Sequence, residues 1–167
     1  VRESSSQRKT ALMLSGQKTK ACPDPSAAKK RDNYMPLQSA LITVMVNAAR
    51  KASIRLKRDY GEVDQLQVSK KGPADFVTSA DIRTEKLLRE ELGHARPGFG
   101  FLMEEEGEQP GKDPHRRWII DPIDGTTNFV HGIAQFAISI AVEENGEITA
   151  GLIFEPINEE LFWAERG

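Results

Sequence analysis

The sequence predicts an α+β layered domain, with two N-terminal helices packed on one face of a mostly antiparallel sheet. Three observations predict it. Apolar residues recur at helical spacing from Pro36, strand-type apolar runs replace them after Gly93, and Asn145-Gly146 separates two β-prone runs. Helices first and strands second argue for segregated layers rather than alternating βαβ units.

The first helix is expected from Pro36 to Gly61. Leu37, Leu41, Val44, Met45, Ala48 and Ala52 repeat at three and four residues; proline suits a first turn and glycine a stop. Val63–Val77 holds Leu66, Val68, Phe76 and Val77 among polar residues, which reads as a short strand or hairpin, with a turn at Gly72-Pro73. A second helix is expected over about Asp81 to Leu92, with Ile82, Leu87, Leu88 and Leu92 as its apolar set. Phe99–Met103 and Trp118–Ile120 then read as short strands on either side of a Gly/Pro/charge-rich loop. Phe136–Val142 and Ile148–Phe154 form a hairpin about Asn145-Gly146, and Leu161–Ala164 is a further strand. That last strand is expected to present an unpaired edge, which hints at more protein beyond it.

At 167 residues the chain is long enough for one domain with a sizeable core. Its 23 basic and 25 acidic side chains nearly balance, which gives no support to a nucleic-acid binder working by bulk charge. No apolar stretch approaches the length of a membrane span. Cys22 is the only cysteine, so disulfide scaffolds and cysteine-based metal sites are excluded and a cytoplasmic setting is the simplest expectation. The average conceals a split: residues 1–34 carry a balance of +5 and residues 35–167 one of −7. The first segment, rich in Ser, Lys, Thr, Ala and Pro without an apolar period, is expected to be a disordered basic extension. Its composition allows a transit peptide, but upstream sequence before a start at Met35 is the favoured reading.

Three acidic clusters stand near the ends of expected elements: Asp75-Phe-Val-Thr78-Ser-Ala-Asp81, Glu104-Glu105-Glu106 and Asp121-Pro122-Ile123-Asp124-Gly125-Thr126-Thr127-Asn128. Taken singly, each has an ordinary reading. Thr78 and Asp81 fit a helix capping box, the glutamates a solvated charge run, and Asp124-Gly125 a turn. Together they point to chemistry. Carboxylates three residues apart across a proline turn can converge, and like charges so placed need a cation between them. Oxygen donors alone suit Mg²⁺ or Mn²⁺ rather than zinc. Gly125, Thr126 and Thr127 follow directly and can offer backbone N–H groups to an anion. A cation seat beside an anion seat points to metal-assisted phosphoester hydrolysis.

Trp118-Ile-Ile-Asp121-Pro-Ile-Asp124-Gly-Thr-Thr-Asn-Phe129, preceded by Met103-Glu104-Glu105 and Asp75-Phe-Val-Thr78-Ser-Ala-Asp81, closely resembles the signatures of the inositol monophosphatase family, particularly its SuhB-like members. The resemblance runs from Met35 to Gly167 and implies the first half of an α-β-α-β-α sugar-phosphatase fold. It implies that Glu104, Asp121 and the Ile123 carbonyl bind a first Mg²⁺, that Asp121 and Asp124 share a second, and that Glu104 helps hold a third. It implies phosphate on the Gly125 and Thr126 N–H groups, and a water oriented by Thr126, itself hydrogen-bonded towards Asp81. Glu105 and Lys70 are neighbouring candidates. Two Mg²⁺ would balance the four negative charges of Glu104, Asp121, Asp124 and Asp81.

The family's second domain, which supplies a further aspartate and most substrate contacts, is not matched. Residues 35–167 are therefore expected to carry a half-built site that binds one Mg²⁺ weakly and turns over slowly or not at all. Ala134, where proline is usual, and Glu106, where a small residue is common, depart from the pattern without touching the expected ligands. The resemblance implies a small phosphorylated polyol or sugar as substrate and a homodimer at full length. Inositol 1-phosphate is the default; fructose 1,6-bisphosphate, histidinol phosphate and 3′-phosphoadenosine nucleotides are the alternatives. A role from another class, a non-catalytic partner of RNA polymerase or ribosome assembly, attaches to SuhB-like relatives, although the −7 balance argues mildly against direct RNA binding.

Overall fold

A computed structural model of the chain describes residues 38–66 and 73–166, with side chains from 38–63 and 77–166. Among the described residues three helices, α1 (Ala40–Leu66), α2 (Pro73–Ala95) and the short α3 (Thr126–Val130), accompany six strands. These are β1 (Gly100–Met103), β2 (Glu108–Gln109), β3 (Arg116–Asp124), β4 (Ala137–Glu144), β5 (Glu147–Glu155) and β6 (Glu160–Glu165). Among the described residues no helix is long and apolar enough to cross a membrane.

The α1 helix starts where a serine can cap it. The Ser39 hydroxyl oxygen accepts the Ile42 N–H at 3.1 Å, satisfying one of the donors a helix start leaves open. The expected proline start at Pro36 lies outside the described residues. Gly61 does not stop the helix; it is solvent-exposed inside α1, where glycine costs about 1 kcal/mol relative to alanine but breaks no hydrogen bond. The strand or hairpin expected over Val63–Val77 is not formed at either end, because Val63–Leu66 finish α1 and Pro73–Val77 begin α2; residues 67–72, Lys70 among them, lie outside the described residues. Pro73 opens a helix rather than closing a turn, a position where its missing N–H costs nothing. Asp81 therefore lies inside α2 and not at its start, so the capping-box reading of Thr78 and Asp81 fails. His94 falls in the last turn of α2.

The strands form one sheet in the order β2-β1-β3-β4-β5-β6, with every neighbouring pair antiparallel except β1 and β3. Alternation along the strands sends Trp118, Ile120, Ile138, Ile140, Val142, Ala150, Leu152 and Phe154 into one core with Ile42, Met45, Ala49, Ala52 and Leu56 of α1 and Leu88 and Leu92 of α2. The helices pack on each other, α1 also on β5 and β4 and α2 on β3. Asn145 and Gly146, both at positive φ, form the two-residue β4–β5 turn expected of Asn-Gly. The strand expected at Trp118–Ile120 is longer than its apolar run, continuing through Asp121-Pro122-Ile123-Asp124.

Candidate functional site

Two features of the sheet bring the acidic clusters together. The first is the parallel pairing of β1 and β3. Met103 lies opposite Ile120, so the next residues along, Glu104 just past β1 and Asp121 within β3, lie towards the same end of the sheet. Carboxyl ends of neighbouring parallel strands are where such sheets present side chains to a ligand. The second feature is an irregularity at Pro122. Asp121 pairs with Ser139 and Asp124 with Ala137, so three steps along β3 match two along β4. Proline cannot donate to the ladder, and the extra residue makes a bulge. Residues three apart on a regular strand face opposite ways; the bulge turns Asp121 and Asp124 to the same face, opposite two residues that share one. The proline makes a kink within the strand, not a turn after it.

Asp121 is buried, with only 4% of its surface exposed, and among the described residues its Oδ1 has no hydrogen-bond partner. Burial chiefly, then the adjoining Glu104, which is also hydrogen-bonded to it, and then Asp124 and Asp81 push its carboxyl up to about 9. Asp81, buried on α2, is pushed up to about 8, again first by burial and then by Glu105, Glu104 and Glu85. Glu105 is raised as well, by burial, Glu85 and Glu104. Such mutual repulsion marks a place built for positive charge. Glu104 and Asp124 are exposed, and among the described residues no three acidic, histidine or cysteine side chains stand close enough to form a ready-made metal cage.

Directly after Asp124 the chain turns into α3. Gly125 precedes that helix at φ 97°, ψ 32°, a left-handed conformation open to glycine. A Cβ there would also sit 3.0 Å from the Gln135 carbonyl oxygen and 3.3 Å from Phe136 Cα. Gly125→Ala is therefore expected to destabilise the protein by about 1–3 kcal/mol, read as a lower denaturant midpoint with an unchanged slope. The Thr126 hydroxyl donates to the Ile123 carbonyl at 3.0 Å, folding the turn back on the strand end. Its single proton is thus directed to Ile123 and not to Asp81; its lone pairs stay open as acceptors. Thr127 is exposed in the same first turn, whose leading N–H groups have no acceptor within a helix.

Two residues that sequence reasoning passed over hold these pieces in place. Tyr60 of α1 donates its hydroxyl to the Gly132 carbonyl at 2.5 Å, and its ring packs against Phe129 and Phe136 at centroid distances of 5.6 and 5.1 Å. It ties the short α3 helix to the body of the domain. Glu85, buried on α2, accepts the backbone N–H groups of Glu105 and Glu106, each at 2.9 Å. Its place four residues after Asp81, on the same helical face, was the available signal. Asp75 lies in α2, in the stretch where only the backbone is described.

An unpartnered buried carboxylate oxygen, two further carboxylates and a strand-end carbonyl make a donor set of oxygen alone, the chemistry of a hard dication. Open N–H groups alongside suit a phosphate.

The family model described as "Inositol monophosphatase family" matches residues 37–167. The chain is 57% identical over 130 residues to the inositol-1-monophosphatase of Mesorhizobium japonicum, covering 78% of this chain and 49% of that protein. It is 38% identical over 127 residues to the Nus factor SuhB of Escherichia coli K12, covering 76% and 48%. Among solved structures it resembles the native form of the extragenic suppressor protein suhB from Bartonella henselae, at 61% identity and a TM-score of 0.69, over 77% of this chain and 50% of that one. The chain spans about half the length of the curated relatives it matches. The match of that family model across residues 37–167 places this chain in the inositol monophosphatase family.

Proposed function

We propose that the chain carries the metal- and phosphate-holding part of a Mg²⁺-dependent phosphomonoesterase whose substrate is a small polyol phosphate, myo-inositol 1-phosphate first. Residues 35–167 form this α+β unit and residues 1–34 a separate basic extension. What chiefly supports the reading is Asp121: a buried carboxylate whose Oδ1 has no partner among the described residues, raised by three acidic neighbours, in the kinked last stretch of β3 shortly before a helix.

Glu104, Asp121 and the Ile123 carbonyl would hold one Mg²⁺, and Asp121 with Asp124 a second; Mn²⁺ suits the same oxygens. Bound there, the ions would offset the carboxylate charge, draw in the phosphate and acidify a water. The chain's own residues do the rest. Gly125, Thr126 and Thr127 N–H groups orient the phosphate oxygens and restrain the ester for in-line displacement. The Thr126 hydroxyl, its proton given to Ile123, accepts a hydrogen bond from the attacking water and aims it. Asp81, a buried carboxylate beside Glu104 and Glu105, is the group that would take up the water's proton once bound cations have ionised it. Water displaces the alcohol directly, without a phosphorylated side chain.

The relative named Nus factor SuhB carries a second reading, a non-catalytic partner of transcription machinery. The acidic balance of residues 35–167 and the higher identity to inositol-1-monophosphatases favour the enzyme. The test is Mn²⁺ uptake by this chain, followed through the free-ion paramagnetic signal with and without myo-inositol 1-phosphate, together with phosphate release. Expected are Mn²⁺ binding strengthened by the ester and release abolished by chelator, fastest with inositol phosphate. No Mn²⁺ uptake, or release indifferent to chelator, overturns the proposal.

A further inference from the structure

We infer that Glu85 is a positioning residue for Glu104: its carboxylate clamps the loop after β1 and thereby sets the strength of cation binding. This rests on the reading of Glu104 as a metal ligand. Glu85 is 1% exposed, and its two oxygens divide between two consecutive amides, Oε2 accepting from Glu105 and Oε1 from Glu106, both at 2.9 Å. A buried carboxylate gripping a backbone in this way is costly to place unless its donors are fixed, so helix and loop constrain each other. The loop needs such a clamp. Glu104, Glu105 and Glu106 are adjacent and exposed like charges, and Glu105 and Glu104 also press on Asp81. Their turn is closed at its base by the Met103 N–H donating to the Gly107 carbonyl at 2.9 Å, with Gly107 at φ 74°. From its rim Arg89 of α2 pairs with Glu106 at 3.1 Å. Among the described residues Glu85 alone reaches the two amides directly after Glu104, which fixes the direction in which Glu104 leaves β1 towards Asp121. Partners that orient a ligand in this way typically carry tenfold to a hundredfold in metal affinity.

Glu85→Gln keeps the shape but replaces one acceptor oxygen with an NH₂ group facing an N–H. It is expected to weaken Mn²⁺ binding about tenfold, and to lose hydrogen-exchange protection at the Glu105 and Glu106 amides, with the β4–β5 amides unaffected. Asp59→Asn serves as the stability control: Asp59 is equally buried but pairs with Arg55 and Arg83 between the helices, at 3.2 and 3.0 Å, away from the loop. It is expected to lower the melting temperature while leaving Mn²⁺ affinity within about twofold. Unchanged affinity in E85Q, or an equal loss in D59N, overturns the positioning role. Should E85Q fail to fold, exchange in the unaltered protein decides: both amides protected supports the clamp, both exchanging freely sinks it. If the unaltered protein takes up no Mn²⁺, the metal-site reading fails, and Glu85 loses the ligand it is said to position whatever the amides show.

Discussion

Asp121→Asn is expected to separate two properties that usually fall together, abolishing cation binding while leaving the metal-free protein as stable as before or more so. The binding loss follows from position. Asp121 stands between Glu104 just past β1 and Asp124 beyond the bulge, adjacent to both, and losing it should cost about 100-fold or more in Mn²⁺ affinity. Stability goes the other way. With its carboxyl pushed up to about 9, the metal-free aspartate keeps its proton at pH 7, and asparagine is then a near-isostere. The unfolded aspartate, however, ionises near pH 4, so the metal-free parent loses stability as pH rises from about 4 to about 9, a loss that asparagine avoids. The variant should gain on the parent by about 1 kcal/mol per pH unit within that window and no further above pH 9. Denaturant melts at pH 5, 7 and 9, beside a Mn²⁺ titration, read both. Retained Mn²⁺ binding, or a large loss of stability at pH 7, contradicts the assignment.

The same residues show how far the amino-acid order discloses the structure. The β4–β5 hairpin was legible because its determinants are local: β-prone runs on either side of Asn145-Gly146, whose positive φ angles only such residues accept cheaply. The first turns of α2 were not. Pro73 and the β-prone Phe76-Val77 read as turn and strand, yet Val77 and Ala80 are buried in the core, and helix packing outweighs local preference there. Neither was the bulge, for Pro122 looks like the end of a strand until Ser139 and Ala137 are seen on either side of it. Parallel pairing of β1 with β3 is a long-range choice to which the intervening charged loop gives no clue. The carboxylates themselves were found through their order in the sequence. The residues that hold them, Glu85 and Tyr60, were not, because their work is done across 20 or 21 and 72 residues of chain, respectively, on backbone atoms that any sequence would supply.

Metal-free protein is expected to lose stability as pH rises through the neutral range, and Mg²⁺ is expected to cancel that loss. An unfolded aspartate releases its proton near pH 4, whereas Asp81 and Asp121 hold theirs to about 8 and about 9 when folded. Between those values the native state binds more protons than the unfolded one, so stability falls with pH. The contribution is fully present below about pH 4 and is gone once pH has passed through the folded values. Most proteins gain from ionised carboxylates in this range; the opposite sign here comes from burial and like-charge neighbours. Cations reverse it, because they bind the ionised form and release its proton, so apparent Mg²⁺ affinity should rise about tenfold per pH unit for each proton displaced below the folded pKa. Melting curves at pH 6, 7, 8 and 9 would show a declining melting temperature without metal, a flatter one in 10 mM Mg²⁺, and a gap that widens with pH to about 5 °C or more. Replacing Asp81 and Asp121 together by asparagine should remove both the slope and the Mg²⁺ response. A gap that is constant across the series would mean that the cation binds somewhere other than among these carboxylates.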